Sequence, residues 1–234
     1  MDTLQKQSCD AAFSHCETLD GNAFIDGQDF CGKVRLRVWL DFVCPYCLLS
    51  EASIYEAAKS LDVKIEWMPF ELRPYPEPTL RPEGKYLQTV WASSVYPMAK
   101  QLGVPIQLPK ISPQPYTRLA FEGMQYAKSL GKADAYIRGV LNAFFVVGED
   151  IGKLDVLEKV AYQSGLDRME FRRNLESGRF FELHQAMLDV ARQHDIRSVP
   201  TIQVGTVRIE GVPDLQELRE CLQRQLECGG ARTE

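Results

Sequence analysis

Hydrophobic and polar residues alternate in two short segments near the start of the chain, and a helical stretch lies between them. Residues 35–41 alternate within an apolar run from Val34 to Val43, which predicts a strand. Residues 46–60 fit a helix, and residues 63–68 alternate cleanly, which predicts a second, half-buried strand. The chain is therefore expected to begin its folded part with a β-α-β unit.

A proline-rich segment and a long helical region follow. Five prolines between residues 69 and 82 exclude a helix there and indicate an excursion away from the sheet. The region up to residue 194 then fits helices broken by turns, with Pro97 expected to interrupt the first of them. The predicted helices are 86–101, 116–129, 133–146, 153–164, 168–177 and 179–194.

Strands return near the C-terminus. Residues 201–204 and 206–209 are rich in β-branched residues, and Gly205 between them predicts a tight hairpin. Pro213 and Asp214 then introduce a last helix over residues 214–227. The complete order is β-α-β, a helical insertion, and β-β-α.

The charge of the chain is concentrated at its N-terminus. The 234 residues carry a net charge of −5, and the first 32 residues account for all of it, with six acidic residues and one lysine. The remaining chain has 26 basic and 26 acidic residues, which gives no electrostatic reason to expect nucleic acid or an anionic membrane as a partner.

No targeting or membrane segment is evident in the sequence. The first six residues lack a basic flank followed by an apolar core, and no run approaches the roughly 18 apolar residues of a membrane span. We therefore expect a cytoplasmic protein. Structural disulfides are uncommon there, so a closely spaced cysteine pair is expected to be catalytic or metal-binding.

Such a pair occurs as Cys44-Pro45-Tyr46-Cys47, between the first strand and the first helix. Two thiols with this spacing at a strand-to-helix junction form the redox motif of thioredoxin-like proteins. Because a helix N-terminus presents unpaired N–H groups and a positive dipole end, it favours a thiolate. We expect Cys44 to attack the substrate and Cys47, one turn further on, to resolve the mixed disulfide.

Pro200 opens the third strand after a helix, in Val199-Pro200-Thr201. Proline is tolerated at the first position of a strand, so it could be a boundary residue only. In a thioredoxin fold, however, this loop faces the cysteine pair and its proline is usually cis, which exposes the preceding backbone N–H and C=O to an extended substrate. We predict a cis bond at Pro200, and we expect Pro45, Tyr46, Val199 and Pro200 to contact the substrate.

The element order and the cysteine pair together predict an α/β protein with a thioredoxin fold interrupted by an all-helical insertion domain. The predicted parts are an acidic, cysteine-containing arm (1–32), a thioredoxin-fold domain in two segments (33–75 and 195–228) and the helical insertion domain (76–194).

The chain resembles the DsbA-like thioredoxin-fold family, and specifically its FrnE-like branch, over residues 34–226. The resemblance rests on the order and spacing of segments 41–47, 69–74, 148–152, 198–201 and 209–213. It implies a thiol–disulfide oxidoreductase with a substrate groove between the two domains. It departs from the FrnE-like pattern at Pro115-Tyr116-Thr117-Arg118, where a histidine-containing stretch would be expected.

The related 2-hydroxychromene-2-carboxylate isomerases and kappa-class glutathione transferases usually have serine where Cys44 stands, and they bind glutathione there. The presence of both cysteines favours redox chemistry on protein dithiols or on glutathione-linked substrates. A glutathione-dependent isomerase or transferase is the alternative, and a non-catalytic metal- or partner-binding module is a third possibility. We expect no tightly bound cofactor, with glutathione as a possible co-substrate. The Pro-Tyr dipeptide predicts an intermediate reduction potential, about −230 to −150 mV.

The sequence does not decide the roles of several other polar and aromatic residues. Asp41, three residues before Cys44, could accept the proton of Cys47, or it could be a solvated strand-end carboxylate or a helix cap. The three histidines, His15, His184 and His194, lack ligand-like spacing and are expected to be surface or satisfied residues. An aromatic group is expected in the core: Tyr136, Phe144 and Phe145. Trp91 and Tyr96 could line a groove or simply pack.

Five further cysteines have no place in the redox motif: Cys9, Cys16, Cys31, Cys221 and Cys228. The seven-residue spacing within the first and the last pair corresponds to about 10 Å along a helix, which is too far for a bridge within one helix. They could bridge between helices, bind a metal through thiolates, or be small hydrophobic residues. We predict no metal site, and we predict that an N-terminal cysteine approaches Cys221 or Cys228.

Overall fold

The structure, a computed structural model, describes the backbone of residues 34–230 and the side chains of residues 34–227. It has the predicted order β-α-β, helices, β-β-α. The strands are β1 (Val34–Leu40), β2 (Val63–Pro69), β3 (Thr201–Val204) and β4 (Val207–Glu210). The sheet order is β2-β1-β3-β4, with β2 parallel to β1 and the other two neighbours antiparallel.

Strand β1 pairs on both sides, and its residues Val38, Trp39 and Leu40 at the C-terminal end are apolar and fully buried. Val38 pairs with Trp67 on one side and with Ile202 on the other. The helices that complete this part are α1 (Pro45–Ala58) and α9 (Leu215–Gly230), which pack on each other and on the sheet. The redox pair therefore follows the most buried strand directly.

The helical region contains seven α-helices between β2 and β3. They are α2 (Lys85–Val90), α3 (Tyr96–Leu102), α4 (Arg118–Ser129), α5 (Ala133–Asn142), α6 (Leu154–Gln163), α7 (Arg168–Glu176) and α8 (Phe181–Gln193). Helix α8 packs along β2 and against α4. The three aromatic residues predicted for the core, Tyr136, Phe144 and Phe145, are fully buried, as expected.

The prediction that Pro97 interrupts its helix was wrong. A π-helical turn over Trp91–Val95 joins α2 to α3, so the helix continues from Lys85 to Leu102. The Tyr96 N–H bonds to the Trp91 carbonyl five residues back, so the helix is locally wider directly before Pro97, and it continues past this proline. A second π-helical turn, Ala143–Val147, ends the stretch that we predicted as a helix over 133–146.

No helix within residues 34–230 is long and apolar enough to cross a membrane.

Candidate active site

Cys44 lies at the end of a short turn after β1 and immediately before helix α1. Its N–H donates to the Asp41 carbonyl at 3.0 Å, and its own carbonyl accepts from the Cys47 N–H at 3.1 Å. Pro45 begins the helix, and the first turn of α1 carries no acidic side chain that would offset the positive end of its dipole. Cys44 thus occupies the helix terminus at which a thiolate is stabilised.

The two thiols of the motif are both reduced and both nearly buried, with 5% of Cys44 and 3% of Cys47 exposed. Burial raises the pKa of the Cys47 thiol well above its usual value, and a hydrogen bond with Cys44 and the negative charge of Asp41 raise it further. Cys47 therefore keeps its proton at neutral pH until a nearby base removes it.

The loop before β3 faces Cys44. The Val199–Pro200 peptide bond is cis, as predicted. The Cys44 thiol donates a hydrogen bond to the Val199 carbonyl at 3.3 Å. The Thr201 hydroxyl donates to the Ser198 carbonyl at 2.7 Å, and the Gly211 N–H donates to the Pro200 carbonyl at 2.8 Å. These bonds fix the loop next to the sulfur.

Asp41 is neither a solvated carboxylate nor a helix cap, so these two alternatives of the sequence analysis were wrong. Only 1% of the residue is exposed, because the turn after β1 folds it under the proline-rich segment. Its Oδ2 accepts from the Leu72 N–H at 2.7 Å, and Thr117 also hydrogen-bonds to the carboxylate. Burial raises the pKa of Asp41 to about 7, although these bonds oppose the shift.

A groove of about 290 Å³ opens beside Cys44, between the strand ends and the helical region. Of the four predicted substrate contacts, Pro45, Tyr46 and Val199 line it, whereas Pro200 is not part of the lining. The Tyr46 hydroxyl donates to the Ser94 hydroxyl at 2.8 Å, which ties the redox motif to the helical region. The remaining lining is largely apolar and includes Leu72, Leu80, Leu87, Val90, Trp91, Arg73 and Arg197.

Trp91 and Tyr96 have different positions. Trp91 is buried and also lines the groove, whereas Tyr96 packs edge-on against it at a ring distance of 5.3 Å and is not part of the lining.

Thr117, Glu71 and His184 are polar residues near this site that the sequence analysis did not place there. Thr117 reaches Asp41 from the end of the segment in which the FrnE-like pattern has a histidine. His184 is buried and bonds to Glu71 at 2.6 Å, and Glu71 in turn lies next to the Leu72 N–H that contacts Asp41. Of these three residues, only Glu71 lies in a segment on which the family resemblance rests, residues 69–74, and that segment does not indicate which side chains it contacts.

Among the extra cysteines, Cys221 alone has a described side chain. It is buried and reduced, and burial raises the pKa of its thiol despite the nearby Arg224. Within residues 34–227, no group of three or more His, Cys, Asp or Glu side chains is arranged to hold a metal ion. Cys9, Cys16, Cys31 and His15, and the side chain of Cys228, lie outside the described residues, and so does the predicted approach between the terminal cysteines.

Comparison with known proteins gives one family. Residues 35–223 match the family described as DSBA-like thioredoxin domain. The uncharacterized protein YwbO of Bacillus subtilis (strain 168) is 43% identical over 180 residues, which are 76% of this chain and 90% of that protein.

Two solved structures share the fold. A probable DsbA oxidoreductase from Streptomyces coelicolor has a TM-score of 0.71 and 19% identity, over 86% of this chain and 92% of that one. A 2-hydroxychromene-2-carboxylate isomerase has a TM-score of 0.68 and 20% identity, over 86% of this chain and 100% of that one. At these identities the likeness concerns the fold.

Proposed function

The chain belongs to the DSBA-like thioredoxin domain family, and we propose that it is a thiol–disulfide oxidoreductase that works through Cys44 and Cys47. One observation carries the proposal. The two reduced thiols differ in setting: Cys44 lies at a helix N-terminus beside the groove, and Cys47 lies behind it with a raised pKa. This asymmetry suits an attacking thiol and a resolving thiol.

In the reductive direction, the Cys44 thiolate attacks one sulfur of a substrate disulfide. A Cys44–substrate disulfide forms, and the other substrate sulfur leaves as a thiolate. Asp41 then takes the proton of Cys47, and the Cys47 thiolate attacks the Cys44 sulfur. The Cys44–Cys47 disulfide forms, the second substrate thiolate leaves, and the substrate has gained the two electrons that the enzyme lost. Oxidation of a dithiol client is the same sequence in reverse.

Substrate contacts in this proposal come from the groove. Pro45, Tyr46 and Val199 line it beside Cys44, and Pro200 holds Val199 in place. When Cys44 loses its proton it can no longer donate to the Val199 carbonyl, so this carbonyl becomes free to accept from a substrate N–H. The small, mainly apolar groove suits an extended peptide segment or a small thiol compound such as glutathione.

A glutathione-dependent isomerase or transferase is the second candidate. The specific observation in its favour is the 290 Å³ groove, which is lined by Cys44 and not by Cys47, in a chain that shares the fold of a 2-hydroxychromene-2-carboxylate isomerase. In that function Cys44 would only position or activate glutathione, and no resolving thiol is required. We propose membership of the FrnE-like branch only together with the oxidoreductase function.

Reduction of insulin and exchange with glutathione disulfide test the two candidates. The oxidoreductase proposal expects wild-type activity, loss in Cys44→Ser, and loss of dithiol exchange in Cys47→Ser. The variant Cys221→Ser is the matched control, because it removes a buried cysteine outside the groove. Equal dithiol exchange in wild type and Cys44→Ser would refute the oxidoreductase proposal. Isomerase or transferase turnover that survives Cys47→Ser, without dithiol exchange, would favour the second.

A further inference from the structure

A buried pair of ionisable side chains lies behind the active site. His184 Nε2 and Glu71 Oε1 are 2.6 Å apart, with 0% and 5% of the side chains exposed. Because a carboxylate only accepts hydrogen bonds, the imidazole must donate through Nε2. The ring stacks on Phe121 at 5.5 Å, and its Nδ1 has no partner in the part of the chain that the structure describes.

This pair is connected to Asp41 through the backbone. Leu72 directly follows Glu71, and its N–H donates to Asp41 Oδ2 at 2.7 Å. Phe70, on the other side of Glu71, donates its N–H to the Leu40 carbonyl at 3.0 Å, immediately before Asp41. The bond from His184 therefore anchors the residue that stands between these two contacts.

The pair also acts on Asp41 through charge. Burial is the largest cause of the raised pKa of Asp41, and the negative charge of Glu71 raises it further. Substitution of Glu71 by glutamine removes this negative charge, so the pKa of Asp41 falls as long as His184 keeps its protonation state.

Other ionisable groups face this region, and Arg73 and Arg197 line the groove together with Asp41. Cys47 faces Asp41 from α1, and Glu122 lies buried on α4 with Arg118 as its ion-pair partner at 3.7 Å. Burial raises the pKa of Glu122, and Arg118 opposes this. On α8 itself, Glu182 and Asp189 are exposed at the surface and are screened by solvent.

We propose that Glu71, held by His184, is a positioning residue that controls the ionisation of Asp41 and, through it, the pH at which Cys47 can resolve a mixed disulfide. The catalytic consequence rests on the proposed oxidoreductase function. The control of Asp41 does not, because it concerns the folded protein without substrate.

The Leu72 amide is a direct reporter of this control. Because its N–H bonds to Asp41, its proton chemical shift should titrate with that carboxyl group, with a midpoint near the pKa of about 7 in the reduced wild-type protein. Asp41→Asn should abolish the titration and so assign it. A Leu72 amide that does not titrate between about pH 5 and pH 9 in wild type would overturn the proposal without any Glu71 variant.

Three variants then test the role of Glu71. Glu71→Gln keeps an acceptor for His184 and should move the Leu72 midpoint to lower pH by about half a pH unit or more. His184→Gln keeps an N–H donor for Glu71 and, where the wild-type imidazole is neutral, should leave the midpoint at its wild-type position. Glu158→Gln is the control, because it removes another buried carboxylate, one that pairs with Arg168 and Arg172 on the far side of the helical region.

An unchanged or higher midpoint in Glu71→Gln would overturn the proposal, and so would an equal shift in Glu158→Gln. A shift in His184→Gln as large as that in Glu71→Gln would assign the control to the imidazole instead of Glu71. If Cys44→Ser retained full exchange activity while the Leu72 midpoint moved as expected, the oxidoreductase function would fail and the control of Asp41 would stand.

Discussion

The Cys44 sulfur lies 3.3 Å from the carbonyl oxygen of Val199 and donates a hydrogen bond to it, across 155 positions of sequence. In thiol form, Cys44 therefore occupies one lone pair of this backbone acceptor, and in thiolate form it has no proton to donate. In the proposed function, loss of the Cys44 proton would thus also free this carbonyl for a substrate N–H.

This geometry predicts which cysteine forms the intermediate. Incubated with glutathione disulfide, the reduced variant Cys47→Ser should accumulate a stable glutathione adduct on Cys44, because Cys44 can attack but nothing resolves the product. Cys44→Ser should form no adduct at this motif, since Cys47 is buried and keeps its proton. Mass spectrometry of the intact protein and its peptides measures both. An adduct on Cys47 in Cys44→Ser would reverse the assigned roles.

The sequence was sufficient to predict the elements that form the site's framework. Strand periodicity, the prolines after β2 and the cysteine pair at a strand-to-helix junction are local signals, and each leads to the same element order. The cis bond at Pro200 could also be predicted, because the prediction depends only on the position of one proline in that element order. None of these predictions requires information about contacts between distant side chains.

The surroundings of Asp41 could not be predicted in the same way. Its partners Leu72 and Thr117 come from two distant loops, and Glu71 is held by a histidine on α8. Whether a carboxylate at a strand end is solvated or buried depends on what the helical region places over it. Periodicity describes one element at a time and carries no information on such contacts. The π-helical turn before Pro97 was missed because it is a property of hydrogen bonding, which residue type alone does not reveal.

Packing in the helical region predicts a strong effect at Gly123, in the middle of α4. A Cβ atom there would overlap the Tyr136 hydroxyl and lie 2.8 Å from Phe171 Cζ, and both aromatic rings are fully buried. Gly123→Ala should therefore lower the free energy of unfolding by about 1–3 kcal/mol, even though alanine is the better helix former. Urea unfolding gives the value.

The control for this prediction is Tyr136→Phe, which removes a buried hydroxyl that has no hydrogen-bond partner among the described residues. On its own it should change stability little, by about 1 kcal/mol or less. Combined with Gly123→Ala it should restore part of the loss, because the shortest of the three close contacts disappears, while those with Tyr136 Cζ and Phe171 Cζ remain. A double variant no more stable than Gly123→Ala alone would contradict the assigned clash.

Thr117 is expected to keep the pKa of Asp41 from rising further. Its hydrogen bond to the carboxylate opposes the effect of burial, so Thr117→Val, which has nearly the same shape, should raise the pKa of Asp41 above about 7. If Asp41 accepts the proton of Cys47, the pH midpoint of the resolution step should then move upward by about half a pH unit or more. Stopped-flow measurement of Cys44–Cys47 disulfide formation over pH provides the profile.

Thr79→Val serves as the matched control for Thr117, because Thr79 also lines the groove and is not among the partners of Asp41. It should leave the pH midpoint in place, even if the absolute rate changes. A lower midpoint in Thr117→Val, or the same upward shift in both variants, would contradict a specific role of the Thr117 hydroxyl.

The raised pKa of Asp41 also predicts how the stability of the protein depends on pH. The folded state binds this proton with a pKa of about 7, whereas the unfolded chain binds it near the ordinary value of 3.8. The unfolded chain therefore releases the proton first as pH rises, and the free energy of unfolding falls between about pH 4 and pH 7 and stays lower above that. The full shift corresponds to about 4 kcal/mol at most.

Asparagine at position 41 cannot titrate, so Asp41→Asn should escape this loss. Its free energy of unfolding relative to wild type should increase by about 2–3 kcal/mol between pH 5 and pH 8 in reduced protein, whatever the constant effect of the exchanged hydrogen bonds. Urea unfolding at the two pH values measures the difference. Asp189→Asn, at an exposed ion pair with Arg192, should show no such increase. A difference between Asp41→Asn and wild type that is independent of pH would mean that Asp41 is ionised in the folded protein throughout this range, and it could then not take up the proton of Cys47 near neutral pH.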